Sequence, residues 1–265
     1  MYTKSNTQKI IFFIKVLLLN KCQKKVLVLL LNLLSKKDLR FFYINGDYFV
    51  IENSVKHFFI KERYTLYLDG AISRSLNLAG NYGLDSIVFE DKDVVIDVGA
   101  NNGDLISYFK NQTYIGFEPS LVEFKLLSKN NLYGGSIYNY AVGNSNKEID
   151  FFISSKGANS SMVEPVEFTH QNRVIQIRLD EFCVKKIKLL KIDAEGAEIE
   201  VLQGCEKILN LIEYISVDAG FERGINSDMT APQVFDFLYQ NNFRLIGEPS
   251  YTRYLFKNYV ELIEK

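Results

Sequence analysis

Val94-Val95-Ile96-Asp97-Val98-Gly99-Ala100-Asn101-Asn102-Gly103-Asp104 passes from a short apolar run into a turn that carries two glycines. Val94–Val98 has the length and β-branched content of a buried strand, and a helix-compatible stretch continues to Lys110. Gly99 has no Cβ, so a ligand could approach the backbone there. A helix beginning near Gly103 would turn free N–H groups and its dipole toward a carboxylate. Asp97, at the strand end, could accept from a ligand ammonium or orient the turn. Downstream, Tyr114–Glu118 reads as a second strand and puts Glu118 nineteen positions after Gly99. An acid at that point accepts both ribose hydroxyls of an adenosyl ligand. A dinucleotide fits less well, because Asn101 and Asp104 stand where GxGxxG needs glycine.

The α/β rhythm continues outward from this unit. Leu121–Asn130 reads as a helix, Ser136–Val142 as a third strand, Lys188–Ile192 as a strand and Ala197–Leu209 as a helix. Tyr214–Val217 is a strand and Ala231–Asn241 a helix with Thr230 as N-cap and Pro232 nearby; Phe243–Ile246 and Tyr254–Phe256 close the pattern. Such alternation implies a doubly wound, mostly parallel α/β sheet with right-handed crossovers. Residues 147–182 interrupt it: Glu148–Ile153 and Val174–Leu179 alternate like antiparallel strands about Gly157–Ser161, an inserted β-hairpin element.

Upstream, Phe41–Ile44, Tyr48–Ile51 and His57–Ile60 are β-rich, with Asn45-Gly46 a hairpin turn, and Arg63–Gly80 reads as a helix or lid. Residues 1–40 carry nine Lys/Arg and one acid, a charge of +8 in a chain of net charge −1, so the remainder carries −9. Ile10–Leu19 and Val26–Leu34 are apolar runs too short to span a bilayer, and no small-residue cleavage site follows the first. On a helix from Lys21 to Ser35, Lys21, Lys24, Lys25, Asn32 and Ser35 share a face with Val28. This N-terminal helical extension either packs on the core or a second subunit, or attaches peripherally to an anionic membrane. The expected organisation is 1–40 extension, 41–90 β-rich lid segment and 91–265 catalytic domain.

Composition narrows the chemistry. Cys22, Cys183 and Cys205 form no CxxC pair, which suits a cytoplasmic, reducing compartment and argues against a disulfide framework or zinc site. His57 and His170 are the only histidines, and no GxSxG elbow presents a serine, so neither a multi-histidine metal site nor a serine hydrolase is expected. A near-neutral net charge gives no nucleic-acid signal.

Over residues 63–220 the chain resembles the FkbM family of methyltransferases. The resemblance lies in VVIDVGANNGD, in Gly116-Phe117-Glu118-Pro119-Ser120, in Asn139-Tyr140-Ala141-Val142-Gly143 and in Arg178-Leu179-Asp180-Glu181-Phe182. It is sharpest at Leu190-Lys191-Ile192-Asp193-Ala194-Glu195-Gly196-Ala197-Glu198, followed by Val201-Leu202-Gln203-Gly204. It implies the class I methyltransferase fold, S-adenosylmethionine as donor, and transfer to oxygen, often on glycan sugars or small natural products. The cofactor-binding set is then Asp97, Gly99, Ala100, Asn101, Asn102, Gly103, Glu118, Pro119, Ser120, Ala141 and Val142. The competing readings are a nicotinamide-dependent oxidoreductase and a non-catalytic adenosyl-ligand-binding protein.

Asp193–Glu198 follows a strand of the same sheet, where open α/β folds bind ligands. A sugar hydroxyl is a weak nucleophile, so a carboxylate base would help. Asp193 is the first choice and Glu195 the second, while Glu198 faces outward or pairs with Lys191. The same acids would also favour a helix N-terminus, and a divalent metal is not demanded. Asn159-Ser160-Ser161 reads as a polar turn or a ligand contact, and His170 as an exposed residue or alternative base. Asp218 and Arg223 read as acceptor contacts or a surface ion pair.

Overall fold

The computed structural model describes residues 23–154, 160–182 and 185–259. The Ile10–Leu19 run, Lys21, Cys22, Gly157, Asn159 and Cys183 lie outside them. Two compact units divide at Arg74/Ser75.

In the first unit, helix α1 (Lys24–Leu34) is followed by strands β1 (Arg40–Ile44), β2 (Asp47–Glu52) and β3 (Val55–Phe59), an antiparallel sheet in that order. Asn45 and Gly46 have φ of 54° and 94°, the two left-handed positions of a tight hairpin turn, and pair Ile44 with Asp47. Leu27 and Leu31 of α1 pack with Leu39, Phe41, Val50, Phe59, Tyr64 and Tyr67. The polar face expected on α1 is divided: Lys24 and Lys25 are exposed, whereas Asn32 is half-buried. Asn32 turns toward β1, where its Nδ2 donates to Phe41 O at 2.9 Å and its Oδ1 accepts from Phe41 N at 2.8 Å. A half-buried amide that pairs both ways with one residue of an edge strand ties this part of the helix to the sheet.

Helix α2 (Ala71–Asn81) crosses the boundary between the units. The second unit is built on β4 (Val94–Val98), β5 (Thr113–Phe117), α3 (Leu121–Asn130), β6 (Ser136–Tyr138), β7 (Ala141–Val142), β8 (Lys147–Ile153), β9 (His170–Ile177), α4 (Leu179–Phe182), β10 (Ile187–Ile192), α5 (Glu198–Gln203), β11 (Ile212–Asp218), β12 (Phe221–Arg223), β13 (Asp228–Met229), α6 (Ala231–Gln240), β14 (Phe243–Ser250) and β15 (Arg253–Asn258). Seven strands form one sheet in the order β14-β15-β11-β10-β4-β5-β6. β6, β5, β4, β10 and β11 run parallel, and the closing pair β14–β15 is antiparallel. The connection reverses direction between β4 and β10, so the crevice of this doubly wound sheet opens at their C-terminal ends. Ile96, Leu190, Ile192, Ile215 and Val217 are fully buried, as strands covered on both faces require.

Three elements depart from the sequence expectation; the helix expected over Ala197–Leu209 is the short α5 followed by a 3-10 turn, Glu206–Leu211. Ser136–Val142 is not one strand. The Asn139 amide donates to Glu118 O and Pro119 O at 2.8 and 2.9 Å, which pulls the chain off the sheet, and β7 joins β9 and β8 instead. No α-helix follows Gly103 before β5. Asn101 and Gly103 both take positive φ, 50° and 85°, and the chain from there to Gln112 closes mainly i→i+3 bonds. The inserted antiparallel element is present as β8 and β9, paired from Lys147↔Gln176 to Ile153↔His170. Thr230 opens α6 without a side-chain cap bond.

Candidate functional site

The site lies where β4 and β10 end side by side. Gly99 has φ +74°, and a Cβ on it would lie 1.9 Å from Asp193 O. Glycine is therefore required here by a protein contact, the backbone of the neighbouring strand end, and not only by an approaching ligand. Gly99 N and Ala100 N both donate to Phe117 O at 3.0 Å, which ties the turn to β5. Asn101 N donates to Glu118 Oε2 at 2.8 Å and Ser120 N to Glu118 Oε1 at 2.9 Å. One carboxylate thus joins the two loops. Glu118 is 6% exposed. Burial first, then the charge of Glu123, push its pKa up to about 8 against the pull of the Ser120 and Asn101 amides and Lys191. Pro119 and Ser120 follow it into α3, Ser120 hydrogen-bonded to Glu123. Asn102 is held by Asn130, whose Nδ2 donates to Asn102 O at 2.6 Å. Since turns replace the expected helix, no helix N-terminus faces a carboxylate here.

Lys191 joins the two strand ends. Its ammonium is 2.9 Å from Asp97 Oδ1 and 3.8 Å from Asp193 Oδ2, and donates to Gly99 O at 2.8 Å and Val98 O at 3.3 Å. Burial opposes its charge, but Asp97 and Asp193 outweigh burial and raise its pKa. Tyr114 OH donates to Asp97 Oδ2 at 2.7 Å and Tyr82 OH to Asp193 Oδ2 at 2.6 Å. Both phenols are pushed well up, by burial and then by these carboxylates, and stay protonated donors. Arg253 lies 4.5 Å over the Tyr82 ring and pairs with Asp218 at 2.8 Å.

Beyond β10, Glu195 (φ 50°) and Gly196 (φ 97°) form a left-handed pair. A Cβ at Gly196 would meet Glu222 O at 2.7 Å, so this glycine too serves close backbone packing. Glu198 is fully buried and neither faces outward nor pairs with Lys191. Its Oε1 accepts from Gly196 N at 3.0 Å and Ala194 N at 3.2 Å, closing the loop, and burial lifts its pKa to about 7. The Ser161 hydroxyl donates to Glu195 O at 2.6 Å. Glu222 faces the same cleft as Glu195. Burial, then the charges of Asp193, Asp218 and Glu198, push its pKa up to about 8.

Glu195 and Glu222 line a cleft of about 760 Å³. Its other described walls are Ser154, Ser161, Pro165–Thr169, Phe221, Gly224 and Ser227, with neither lysine nor arginine among them. Val166, Phe168 and Phe221 present exposed apolar surface on this rim. Among the described residues no group of three or more His, Cys, Asp or Glu is placed to hold a metal ion.

The structure therefore brings Asp97, Gly99, Asn101, Glu118 and Asp193 to one crevice. Ala141 and Val142 are buried in the small sheet, where Val142 packs against the cluster containing Val98 and Phe117. Glu195 opens on the cleft instead. His170 is exposed, at the start of β9. Arg223 and Asp218 do not pair with each other: Arg223 clamps Glu200 at 2.7 and 2.9 Å, and Asp218 is buried against Arg253 and Thr252. Sequence reasoning passed over Lys191, Tyr82, Tyr114 and Glu222 as site residues. Only Lys191 left a signal, as the second of two lysines in the otherwise apolar β10 and the one beside its C-terminal end.

Residues 97–245 match the family described as "Methyltransferase FkbM domain". A similar curated protein, "Methyltransferase 1" of Beauveria bassiana (strain ARSEF 2860), is 25% identical over 173 residues, which covers 53% of this chain and 70% of that protein. Among solved structures, Methyltransferase FkbM from Methylobacillus flagellatus KT is 15% identical with a TM-score of 0.45, over 64% of this chain and 44% of that one. The chain thus spans less than half of that protein. A putative rRNA-methylase from Clostridium thermocellum is 14% identical with a TM-score of 0.42, over 69% of this chain and 94% of that one.

Proposed function

The chain belongs to the FkbM family of methyltransferases, and on that basis we propose that it moves a methyl group from S-adenosylmethionine to a hydroxyl oxygen of a neutral acceptor, a glycan sugar or a small natural product. Strand order supports the class I methyltransferase fold: counted from β4, the sheet reads 3-2-1-4-5-7-6, with the seventh strand antiparallel.

The residues at the crevice fit the donor. Glu118 is a desolvated carboxylate whose two oxygens each accept only one backbone N–H, leaving lone pairs for ribose hydroxyls. Asp97, one residue before the end of β4, has Lys191 on one oxygen and Tyr114 on the other, so its part is to orient the turn. Gly99, Ala100, Asn101, Asn102 and Gly103 form the wall between them, with Pro119, Ser120, Ala141 and Val142 at the neighbouring strand ends. When bound, the donor supplies an electrophilic methyl group on a sulfonium. The chain's own task is to position the acceptor and take its proton.

The observation that carries the acceptor reading is the cleft holding Glu195 and Glu222. Carboxyl groups accept from sugar hydroxyls, and the exposed faces of Phe168 and Phe221 offer apolar surface to a ring. A polyanionic acceptor would need cations, and none is found among the described walls. Asp193 is already committed to Tyr82 and Lys191. Glu195 is therefore the stronger choice for general base, Glu222 tunes it, and Asp193 fixes the loop from which Glu195 projects. The cysteine usage suits action in the cytoplasm.

Labelled-donor assays against neutral glycans, glycolipid extracts, hydroxylated small molecules and RNA transcripts test this. Label should enter a neutral hydroxyl compound. Glu195→Gln should lower turnover by about 10²–10⁴-fold with S-adenosylhomocysteine affinity unchanged, while Asp193→Asn should cost less. Label confined to RNA would overturn the acceptor reading. Absence of S-adenosylhomocysteine binding to the folded chain would overturn the donor site.

A further inference from the structure

Helix α1 buries one side and leaves the other bare. Leu27 and Leu31 are fully buried. On the opposite side Leu29 and Leu33 are 61% and 72% exposed, with Val26 and Leu34 each at 46%. Val26, Leu29 and Leu33 follow at spacings of three and four, one continuous stripe along the helix. Basic residues bracket it, all exposed: Lys24, which donates to Tyr43 OH, and Lys25 at the start of the helix, and Lys36, Lys37 and Arg40 just beyond its end, with Asp38 the one acid in this stretch and Asp69 paired to Lys36 at 3.5 Å. The helix has 11 residues, and among the described residues no helix is long and apolar enough to cross a membrane.

We propose that α1 docks flat on an anionic lipid bilayer, its leucine stripe entering the acyl boundary and its flanking lysines meeting the headgroups. The bracketing charge selects this occupant. Leucines at the centre with cations at both ends match a surface that is apolar beneath and negative above. A second copy of the chain would bring an equal +8 segment against the first, and that repulsion opposes a symmetric contact. The Ile10–Leu19 run, ten residues with Lys15 as its only charge, adds apolar sequence of the same kind to the same segment. The inference rests on this surface alone and stands or falls independently of the acceptor.

Sedimentation of the full chain with phosphatidylcholine vesicles, with and without phosphatidylglycerol, tests it. The protein should pellet with the phosphatidylglycerol vesicles only, and added salt should weaken binding. Leu29→Glu combined with Leu33→Glu should lower the partition coefficient about tenfold or more, since it buries neither leucine and adds two like charges. Lys24→Ser with Lys25→Ser should lower it less. Both variants should keep the wild-type melting temperature and S-adenosylhomocysteine affinity. Failure of the wild type to pellet would overturn the proposal, as would undiminished binding by the leucine variant. A drop in oligomer size on Leu29→Glu/Leu33→Glu would show a second copy on the stripe. A drop in melting temperature at constant size would show that the chain itself, Ile10–Leu19 foremost, covers it. Either result overturns membrane docking.

Discussion

The turn proposed for the donor and the cleft proposed for the acceptor lie at the ends of adjacent strands, β4 and β10, yet they are made differently. The donor turn is sequence-local and closed. Gly99 to Ser120 supply almost all of it, and Asp97, Asn102 and Glu118 are each no more than 6% exposed. The cleft is assembled from three distant segments, the insert after β8, the loop after β10 and the β12 region, and it stays open. A donor shared across a family needs one fixed mould, whereas an acceptor that varies needs a wall that can be exchanged without disturbing the mould. The two meet where Gly99 packs against Asp193, where Asp193 N donates to Val98 O at 3.1 Å, and where Lys191 lies between Asp97 and Asp193.

Breaking those contacts gives the largest effects. Gly99→Val forces a β-branched residue into φ +74° and a Cβ into the Asp193 carbonyl. Overpacking and backbone strain together should cost ~5 kcal/mol, read as a melting-temperature loss of roughly 10–20 °C or failure to fold. Wild-type melting would mean that the two strand ends are not in contact. Next comes Lys191→Met, which strands Asp97 and Asp193 and should destabilise by about 3–5 kcal/mol. Much of that should return in Lys191→Met/Asp97→Asn, and strict additivity in urea titrations would show that Lys191 does not couple the two regions.

The third test is pH. Glu118 and Glu198 have pKa values raised from 4.5 to about 8 and about 7. The folded chain holds protons there that the unfolded chain releases. Stability is therefore full below pH 4.5 as far as these groups go, and is lost as pH rises through 7 and 8, by at most about 1.4 kcal/mol per pH unit for each group. Glu118→Gln should flatten the upper part of that slope, and on the proposed donor site, where ribose hydroxyls donate to Glu118, saturating S-adenosylhomocysteine should do the same for the wild type. A ligand-insensitive slope would remove Glu118 from the donor site. The smallest effect is expected from Ser161→Ala, about 1–2 kcal/mol for two lost hydrogen bonds, one to Glu195 O and one from Val163 N. It should lower turnover and leave donor affinity untouched; a reversed pattern would assign the insert to the donor side.

Legibility in the sequence followed sequence separation. The donor turn could be read from Val94–Asp104 because strand, glycine and acid lie within one βαβ-like stretch, and Leu121–Asn130 has the helical bounds the pattern gave. The pattern misled where a single side chain overrode it. Two left-handed residues stopped the helix after Gly103, and the Asn139 amide split Ser136–Val142. Asn32 turned toward β1 although Lys24 and Lys25 of the same side stayed exposed. Each is one specific hydrogen bond or backbone state, which periodicity averages away.

Alternation of apolar runs, with glycine and acid at fixed spacing, was enough to determine the doubly wound sheet and the crevice at its switch point, because burial on two faces and right-handed crossovers leave few other solutions. Packing decided what each residue does there. Gly99 is glycine because Asp193 O occupies the place of its Cβ. Glu198 closes a loop from inside the core, Asp193 is held by a phenol 111 positions away, and Glu195 shares a cleft with Glu222. These roles depend on desolvation and on partners brought together only by the folded sheet, and neither quantity is carried by residue type or spacing.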